Sequence, residues 1–402
     1  MITQSARNGT SKNGSVAPVQ PLRVGVIGCG YWGPQLIRNF YEMPDAELVG
    51  IAEARADRLD YARRHYPGVT LVTDYRQMLE SDVQAVVVAT PIQTHYAIAK
   101  DALSAGKHVL VEKPLASSVA DAFMLTQLAR EKQLTLMTGH TFLYNPAVQE
   151  LRRIVQSGEL GRIYYVDAAR LSLGLFQRHV NVIWDLAPHD VSILFYVLDR
   201  IPVSVSARGS SFVQRGVTDV AYLEVIFDDG VAAQLHVSWL DPAKVRRITV
   251  VGDRKMAVYN DVSLAEKIRI YDKGVDSPVT DNFGEFQLSY RHGAITIPYI
   301  PWQEPLRLEC EHFVECVQTG VAPRTDATQG LEVVAVLEAA CLSLARGGVR
   351  VPLDVVRAGA TNGHSGNGHQ PSGASNDDLV APSAPPIGSN GHHEAASSAA
   401  SS

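Results

Sequence analysis

The stretch that most constrains this chain is Leu22 to Gly33, LRVGVIGCGYWG, where a short apolar run breaks into glycines spaced G-x-G-x-x-G at Gly28, Gly30 and Gly33. Trp32, Leu36, Ile37, Phe40 and Tyr41 then recur at helical spacing, so the pattern predicts a strand that turns tightly into an amphipathic helix. Such a turn leaves main-chain N–H groups free, and glycines carry no Cβ to hold an anion away. A second strand, Glu47 to Ala52, ends at Glu53, at the distance where a carboxylate accepts both ribose hydroxyls of an adenosine. Gly28, Gly30, Tyr31, Trp32, Gly33 and Glu53 are therefore candidate contacts of a dinucleotide. The acid favours NAD over NADP, whose 2′-phosphate it would repel, while Arg55 and Arg58 work against that preference. A glycine turn that binds nothing is the bland alternative; the order strand, turn, helix, strand, acid speaks against it.

From Leu22 to about His140, short apolar runs alternate with helical ones. Strands are expected at Leu22 to Gly28, Glu47 to Ala52, Thr70 to Thr73, Ala85 to Ala89, His108 to Glu112 and Leu134 to Thr138. Helical stretches such as Thr94 to Ala105 and Val119 to Glu131 lie between them, which implies an α/β doubly wound parallel sheet, a Rossmann domain over residues 21–140. Ligands of such sheets sit beyond the carboxyl ends of the strands. One end carries Thr90 and Pro91, followed by Thr94 and His95; these either flank a nicotinamide or simply stop a strand and cap a helix. Another runs into Glu112, Lys113 and Pro114, where the proline restricts the lysine and aims it at the cleft.

After His140 the pattern changes. Phe142 to Ser157 reads as a helix with Pro146 in its first turn, followed by β-type segments Arg162 to Leu173, Pro202 to Val213, Val220 to Phe227, Val231 to Trp239, Arg246 to Gly252 and Lys267 to Tyr271. Asp228, Asp229 and Gly230 join two of them as a hairpin. A second, α+β domain with a mostly antiparallel open-faced sheet is expected over residues 141–357, with helices at Leu306 to Thr319 and Gln329 to Ala345. Val182 to Leu198, VIWDLAPHDVSILFYVL, interrupts the strands. Pro188 suits only a first turn, so this helix should begin near Asp185, its expected N-cap. Asp185 and His189 are four apart and stack on one face, able to orient one another and exchange a proton with a hydroxyl; capping and packing are the alternative roles.

The 402 residues are 46% hydrophobic with a formal charge of −6, which offers no basic footprint for nucleic acid or an anionic membrane. Cys29, Cys310, Cys316 and Cys341 form no C-x-x-C pair, which fits a reducing, cytoplasmic setting. No uninterrupted apolar segment approaches the roughly 18 to 20 residues of a membrane span. Residues 1–20 and 358–402 are polar and low in complexity and are expected to be disordered; the tail histidines, among them His364, His369, His392 and His393, are read as solvated rather than metal-binding. No metal site is expected.

The G-x-G-x-x-G turn, Glu112-Lys113-Pro114 after the fifth strand and the Asp185 to His189 helix together resemble the glucose-fructose oxidoreductase, inositol dehydrogenase and MocA (Gfo/Idh/MocA) family. That resemblance, which covers Leu22 to about Leu353, implies NAD-dependent oxidation of a sugar or cyclitol and a homo-oligomer, dimer or tetramer, built on the open sheet. It carries substrate contact to Lys113 and the D-x-x-x-H pair to Asp185 and His189. The wording GYWGPQLIRNF and NVIWDLAPHD is similar to members that act on nucleotide sugars, such as UDP-N-acetylglucosaminuronate C3 dehydrogenases. On this reading His189 is the general base, Lys113 donates to the same oxygen, and Asp185 holds the imidazole or a neighbouring hydroxyl. Tyr144, Asn145, Arg170 and Arg178 are candidate substrate contacts, competing with ordinary surface or core-edge roles; arginines would suit a carboxylate or diphosphate. An NAD-dependent glycosidase on the same scaffold and a cofactor-binding regulator are the alternatives.

Overall fold

Valine and isoleucine runs that bury both faces form parallel strands. A computed structural model describes residues 20–177, 180–276 and 289–362. Its first half comprises β1 (Leu22–Ile27), α1 (Gly33–Tyr41), β2 (Ala46–Ala52), α2 (Ala56–His65), β3 (Thr70–Val72), α3 (Tyr75–Leu79), β4 (Ala85–Val88), α4 (Ile92–Ser104), β5 (His108–Glu112), α5 (Val119–Lys132) and β6 (Leu136–Gly139). The sheet order is β3-β2-β1-β4-β5-β6 with every neighbour parallel, and β4 is buried throughout. The order reverses between β1 and β4, which puts the ligand crevice at the carboxyl ends of those strands. All six expected strands are present. The helix α4 starts earlier than expected, because Pro91 is extended (ψ 144°) and serves as its cap, while Thr94 donates its hydroxyl to the Pro91 carbonyl at 2.7 Å.

A 3-10 turn at Thr141–Tyr144 leads to α6 (Pro146–Gln156). The single helix expected from Phe142 is thus split, since a residue before proline avoids the helical region: Asn145 is extended, and its Oδ1 accepts the Ala147 N–H at 2.9 Å. Next come β7 (Ile163–Leu171), α7 (Val182–Leu198), β8 (Pro202–Ser210), β9 (Val220–Phe227), β10 (Ala232–Ser238), β11 (Val245–Gly252), β12 (Met256–Asn260), β13 (Ile268–Asp276) and β14 (Ser289–Thr296). The chain then forms α8 (Pro305–Thr319), α9 (Ala327–Ala345), β15 (Val351–Pro352) and α10 (Leu353–Asn362). These strands make a nine-stranded sheet, β14-β13-β12-β11-β7-β10-β9-β8-β15, antiparallel except for the parallel pair β7 and β10. The hairpin at Gly230 (φ 86°) is as expected; β12, β14 and β15 go beyond the expected strands. The helix α10 continues to Asn362, past the point where a low-complexity tail was expected; the leader before Gln20, Arg178 and the chain from residue 363 lie outside the described residues.

Helices α6, α7 and α9 pack on one face of the second sheet. Its other face is open: Tyr165, Tyr222 and Gln234 are exposed, and Tyr222 stacks on His236 at 4.2 Å. The helix α9 is the only described helix long and apolar enough to cross a membrane, but half of that window is buried in the protein against α5, α7 and β8. From the second half of the chain α8 returns to the first sheet. Phe313 meets Phe40 of α1 edge to face at 6.4 Å, with both rings fully buried, and Glu304 pairs with Arg38. Truncating Phe313 to Ala should therefore cost about 3–5 kcal/mol, read as a lowered denaturation midpoint; an unchanged midpoint contradicts this packing.

Candidate active site

The glycine turn closes on itself. Gly28 has φ +102°, and a Cβ there would lie 2.6 Å from the Ala89 carbonyl; one on Gly33 would lie 2.2 Å from Gly28 O. Gly30 faces open space, with nothing within 4 Å of its Cβ position. The α1 N-terminus has no side-chain cap and no acid in its first turn, so its N–H groups are open to an anion. These features fit a diphosphate. Glu53 reaches back into the turn: Oε2 accepts the Cys29 N–H at 2.7 Å and Oε1 the Arg55 N–H at 3.0 Å. The Arg55 side chain is turned to Asp57 at 2.8 Å. Tyr31 and Trp32 are exposed, and the Trp32 indole is near enough to Glu112 to favour its charged form.

At the β4 end, the Thr90 and Thr94 hydroxyls lie 2.7 Å apart, with Thr90 donating because the Thr94 proton goes to the Pro91 carbonyl, beside exposed Pro91. The His95 ring is buried, with Nδ1 2.9 Å from Pro114 O and Nε2 2.8 Å from Thr90 O. Both nitrogens face main-chain carbonyls, to one of which the neutral ring donates its single N–H, so His95 lies between the two strand ends rather than facing the cleft. The Lys113–Pro114 peptide that follows β5 is cis. Burial pushes the Glu112 carboxyl up to about 7, against the lowering influence of Lys113 and the Trp32 indole. Behind it stands Glu309 of α8, fully buried and held well above the carboxylate range by burial and by Glu112. Its Oε2 accepts from Thr141 at 2.8 Å, and Oε1 has no partner among the described residues.

The helix α7 begins three residues before Asp185. Asn181 caps it, accepting the Trp184 N–H at 3.1 Å, and Pro188 lies inside the helix. Asp185 is therefore not the N-cap. A proline at that position supplies no N–H to the carbonyl one turn back, and it is beside this loosened turn that the Lys113 ammonium donates to Asp185 O at 2.8 Å. The Asp185 carboxylate stands 3.6 Å from Lys113 Nζ through Oδ1 and accepts the Trp239 indole N–H at 2.9 Å through Oδ2. The expected hydrogen bond from Asp185 to His189 does not form, because the lysine and the indole draw the carboxylate away. His189 Nδ1 is buried without a partner among the described residues, and the ring lies edge-on to Phe142 at 5.1 Å. Burial, then Lys113, Arg170, Arg246 and His140, push its pKa well below the usual histidine value.

Tyr144, Asn145 and Arg170 are engaged within the protein. The Tyr144 hydroxyl bonds His312 Nδ1 at 2.9 Å, and Asn145 caps α6 while its Nδ2 lies 3.3 Å from the Tyr259 hydroxyl. Arg170 is buried in a two-pronged pair with Asp190 at 2.8 and 2.9 Å. Its guanidinium lies over the Phe142 ring at 4.5 Å, with Arg246 at 5.6 Å. Arg178 lies outside the described residues. Sequence reasoning missed three site residues: Trp239, Glu309 and His140. His140 directly follows β6 and is fully buried, with neither ring nitrogen partnered among the described residues. Burial and Lys113 push it down to about 3, so it is a neutral imidazole. The strand-end rule that singled out Lys113 could have found His140; Trp239 and Glu309 carry no local signal.

Residues 22–140 match the model of the Gfo/Idh/MocA oxidoreductase family's NAD-binding Rossmann fold, and residues 148–258 that of the Gfo/Idh/MocA C-terminal domain. The UDP-N-acetylglucosamine 3-dehydrogenase of Acidithiobacillus ferrooxidans is 30% identical over 259 residues, covering 63% of this chain and 78% of that one. The scyllo-inositol 2-dehydrogenase (NAD(+)) of Bacillus subtilis is 27% identical over 353 residues, covering 84% and 98%. A solved structure of the Acidithiobacillus enzyme superposes with a TM-score of 0.67 at 26% identity, over 80% of this chain and 97% of that one. The chain belongs to the Gfo/Idh/MocA family and is an NAD-dependent oxidoreductase.

Proposed function

We propose that the protein interconverts a secondary alcohol and a ketone on a sugar or cyclitol, and that the substrate is a nucleotide sugar of the UDP-N-acetylglucosamine or uronate type, oxidised at C3. The activities of these relatives support the substrate class. One contact carries the chemistry: the Lys113 ammonium, 2.8 Å from Asp185 O, stands one helical turn before His189 at the carboxyl end of β5.

Gly28, Gly30 and Gly33 receive the diphosphate at the α1 N-terminus, and Glu53 offers its remaining lone pairs to the adenosine ribose. Tyr31, Trp32, Thr90, Pro91 and Glu112 line the path toward the nicotinamide, with His95 acting through the Thr90 and Pro114 carbonyls that it holds. The bound dinucleotide supplies the hydride acceptor or donor. His189 is neutral, so it accepts the alcohol proton at its second ring nitrogen, Nε2; Lys113 donates to the same oxygen and favours alkoxide character as the C–H bond weakens. Asp185 keeps the ammonium in place. Arg246, less committed than Arg170, is the cation left to meet an acidic group on the substrate. We also place a homo-oligomer contact on the open sheet face around Tyr165 and Tyr222, in a cytoplasmic enzyme; light scattering that returns a monomer contradicts it.

Replacing Lys113 with Met or His189 with Asn should leave NAD+ binding within about twofold while lowering turnover by about 10²-fold or more; full activity of both on the true substrate contradicts the assignment. Because only the neutral His189 ring accepts a proton and its pKa is lowered, the acid limb of the oxidation rate should lie well below pH 6.5. A limb at or above 6.5 that Asn at position 189 leaves in place opposes this role. Gly30→Ala meets open space, so it should leave the melting temperature unchanged and weaken NAD+; unchanged NAD+ affinity would place the diphosphate elsewhere.

A further inference from the structure

We infer that Trp239 is a positioning residue: its indole N–H tethers the Asp185 carboxylate and thereby leaves the Lys113 ammonium with donors free for the substrate oxygen. The inference rests on the role given above to Lys113.

Trp239 follows β10 and is the bulkiest of the fully buried side chains. Its main chain is fixed on both sides, donating to Asp219 O at 2.9 Å and accepting from the Gly174 N–H at 2.9 Å. Phe176 packs edge-on against the indole at 5.6 Å, and a Cβ on Gly174 would come within 2.9 Å of the ring. An indole held this way has one polar group, and that group goes to Asp185 Oδ2 at 2.9 Å. The other carboxylate oxygen, Oδ1, is 3.6 Å from Lys113 Nζ: close enough to attract the charge, too far for a hydrogen bond. Lys113 instead spends one N–H on the Asp185 main-chain carbonyl at 2.8 Å. Two of its three N–H groups are left for the cleft.

Without the tether, the carboxylate is free to rotate onto the ammonium and close the 3.6 Å gap to a charge-assisted bond, typically about 2.7–2.9 Å. That contact would consume a second N–H and hold the ammonium proton more tightly. The titratable groups that face Lys113 are Asp185 on α7, Glu112 beside it, and the imidazoles of His189, His140 and His95. Of these, Asp185 is the one that Trp239 holds.

The test uses the full-length enzyme. Trp239→Phe removes the N–H with most of the ring kept, and 3-benzothienyl-alanine at position 239 removes it with the shape unchanged, which covers the case in which the phenylalanine variant does not fold. The readout is the pH midpoint for labelling Lys113 with an amine-reactive acylating reagent, followed on its peptide by mass spectrometry, together with kcat and KM. The expected result is a midpoint raised by about one pH unit and a kcat lowered about tenfold, with KM for NAD+ unchanged. In an Asp185→Asn background the position-239 changes should alter neither quantity. An unmoved Lys113 midpoint overturns the inference, including when kcat falls, since that pattern describes a merely structural tryptophan. If the wild type turns over no sugar or cyclitol, the functional proposal fails while the labelling result still decides the tether.

Discussion

One contact joins the two halves of the fold at the place where chemistry is expected: the Lys113 ammonium, at the end of a strand of the first sheet, on the Asp185 carbonyl of α7, which packs on the second sheet. Each side is prepared for it. The parallel sheet delivers the lysine at a strand end, and a proline inside α7 interrupts the hydrogen-bonding of the neighbouring turn. Helix α8 returns to α1 through Phe313 and Phe40 and ties the later part of the chain back to the first sheet.

Around that cation and the Asp185 carboxylate beside it, burial works against the charged forms of the neighbouring imidazoles and glutamates. His140 and His189 are pushed down by burial and by the lysine itself, while Glu112 and Glu309 are pushed up by burial. A buried group that sheds its charge avoids the desolvation penalty, and the Lys113 ammonium keeps its charge beside the Asp185 carboxylate. Arg170 is the exception, a fully charged group taken inside. Asp190 grips it with two bonds, and Phe142, which meets His189 edge-on, lies across its face.

The sequence is informative where chemistry is local. The glycine turn, all six parallel strands and the hairpin at Gly230 follow from spacing and turn residues within a few positions of each other. Lys113, Asp185 and His189 were legible for the same reason, a strand end and an i, i+4 pair. Pro188 misled, since a proline is ordinarily a first-turn residue, whereas Asn181 caps this helix a full turn earlier. The partners were not legible. Tyr144 finds His312, His95 finds the Pro114 carbonyl and Asp185 finds Trp239, and each pairing joins residues distant in the chain that only the folded layers bring together. The exposed edge strand β14 escaped for a related reason, because its neighbour in the sheet, rather than an apolar run of its own, defines it, whereas β12 carries a short apolar run, Met256 to Tyr259, that sequence reasoning missed.

The most direct measurement is a crystal structure of the enzyme with NAD+ and an unreactive analogue of the substrate alcohol. The account predicts one substrate oxygen within hydrogen-bonding distance of both Lys113 Nζ and His189 Nε2, with its carbon facing the nicotinamide. An analogue whose oxygen contacts neither side chain, or a nicotinamide seated away from the β4 and β5 strand ends, would contradict it.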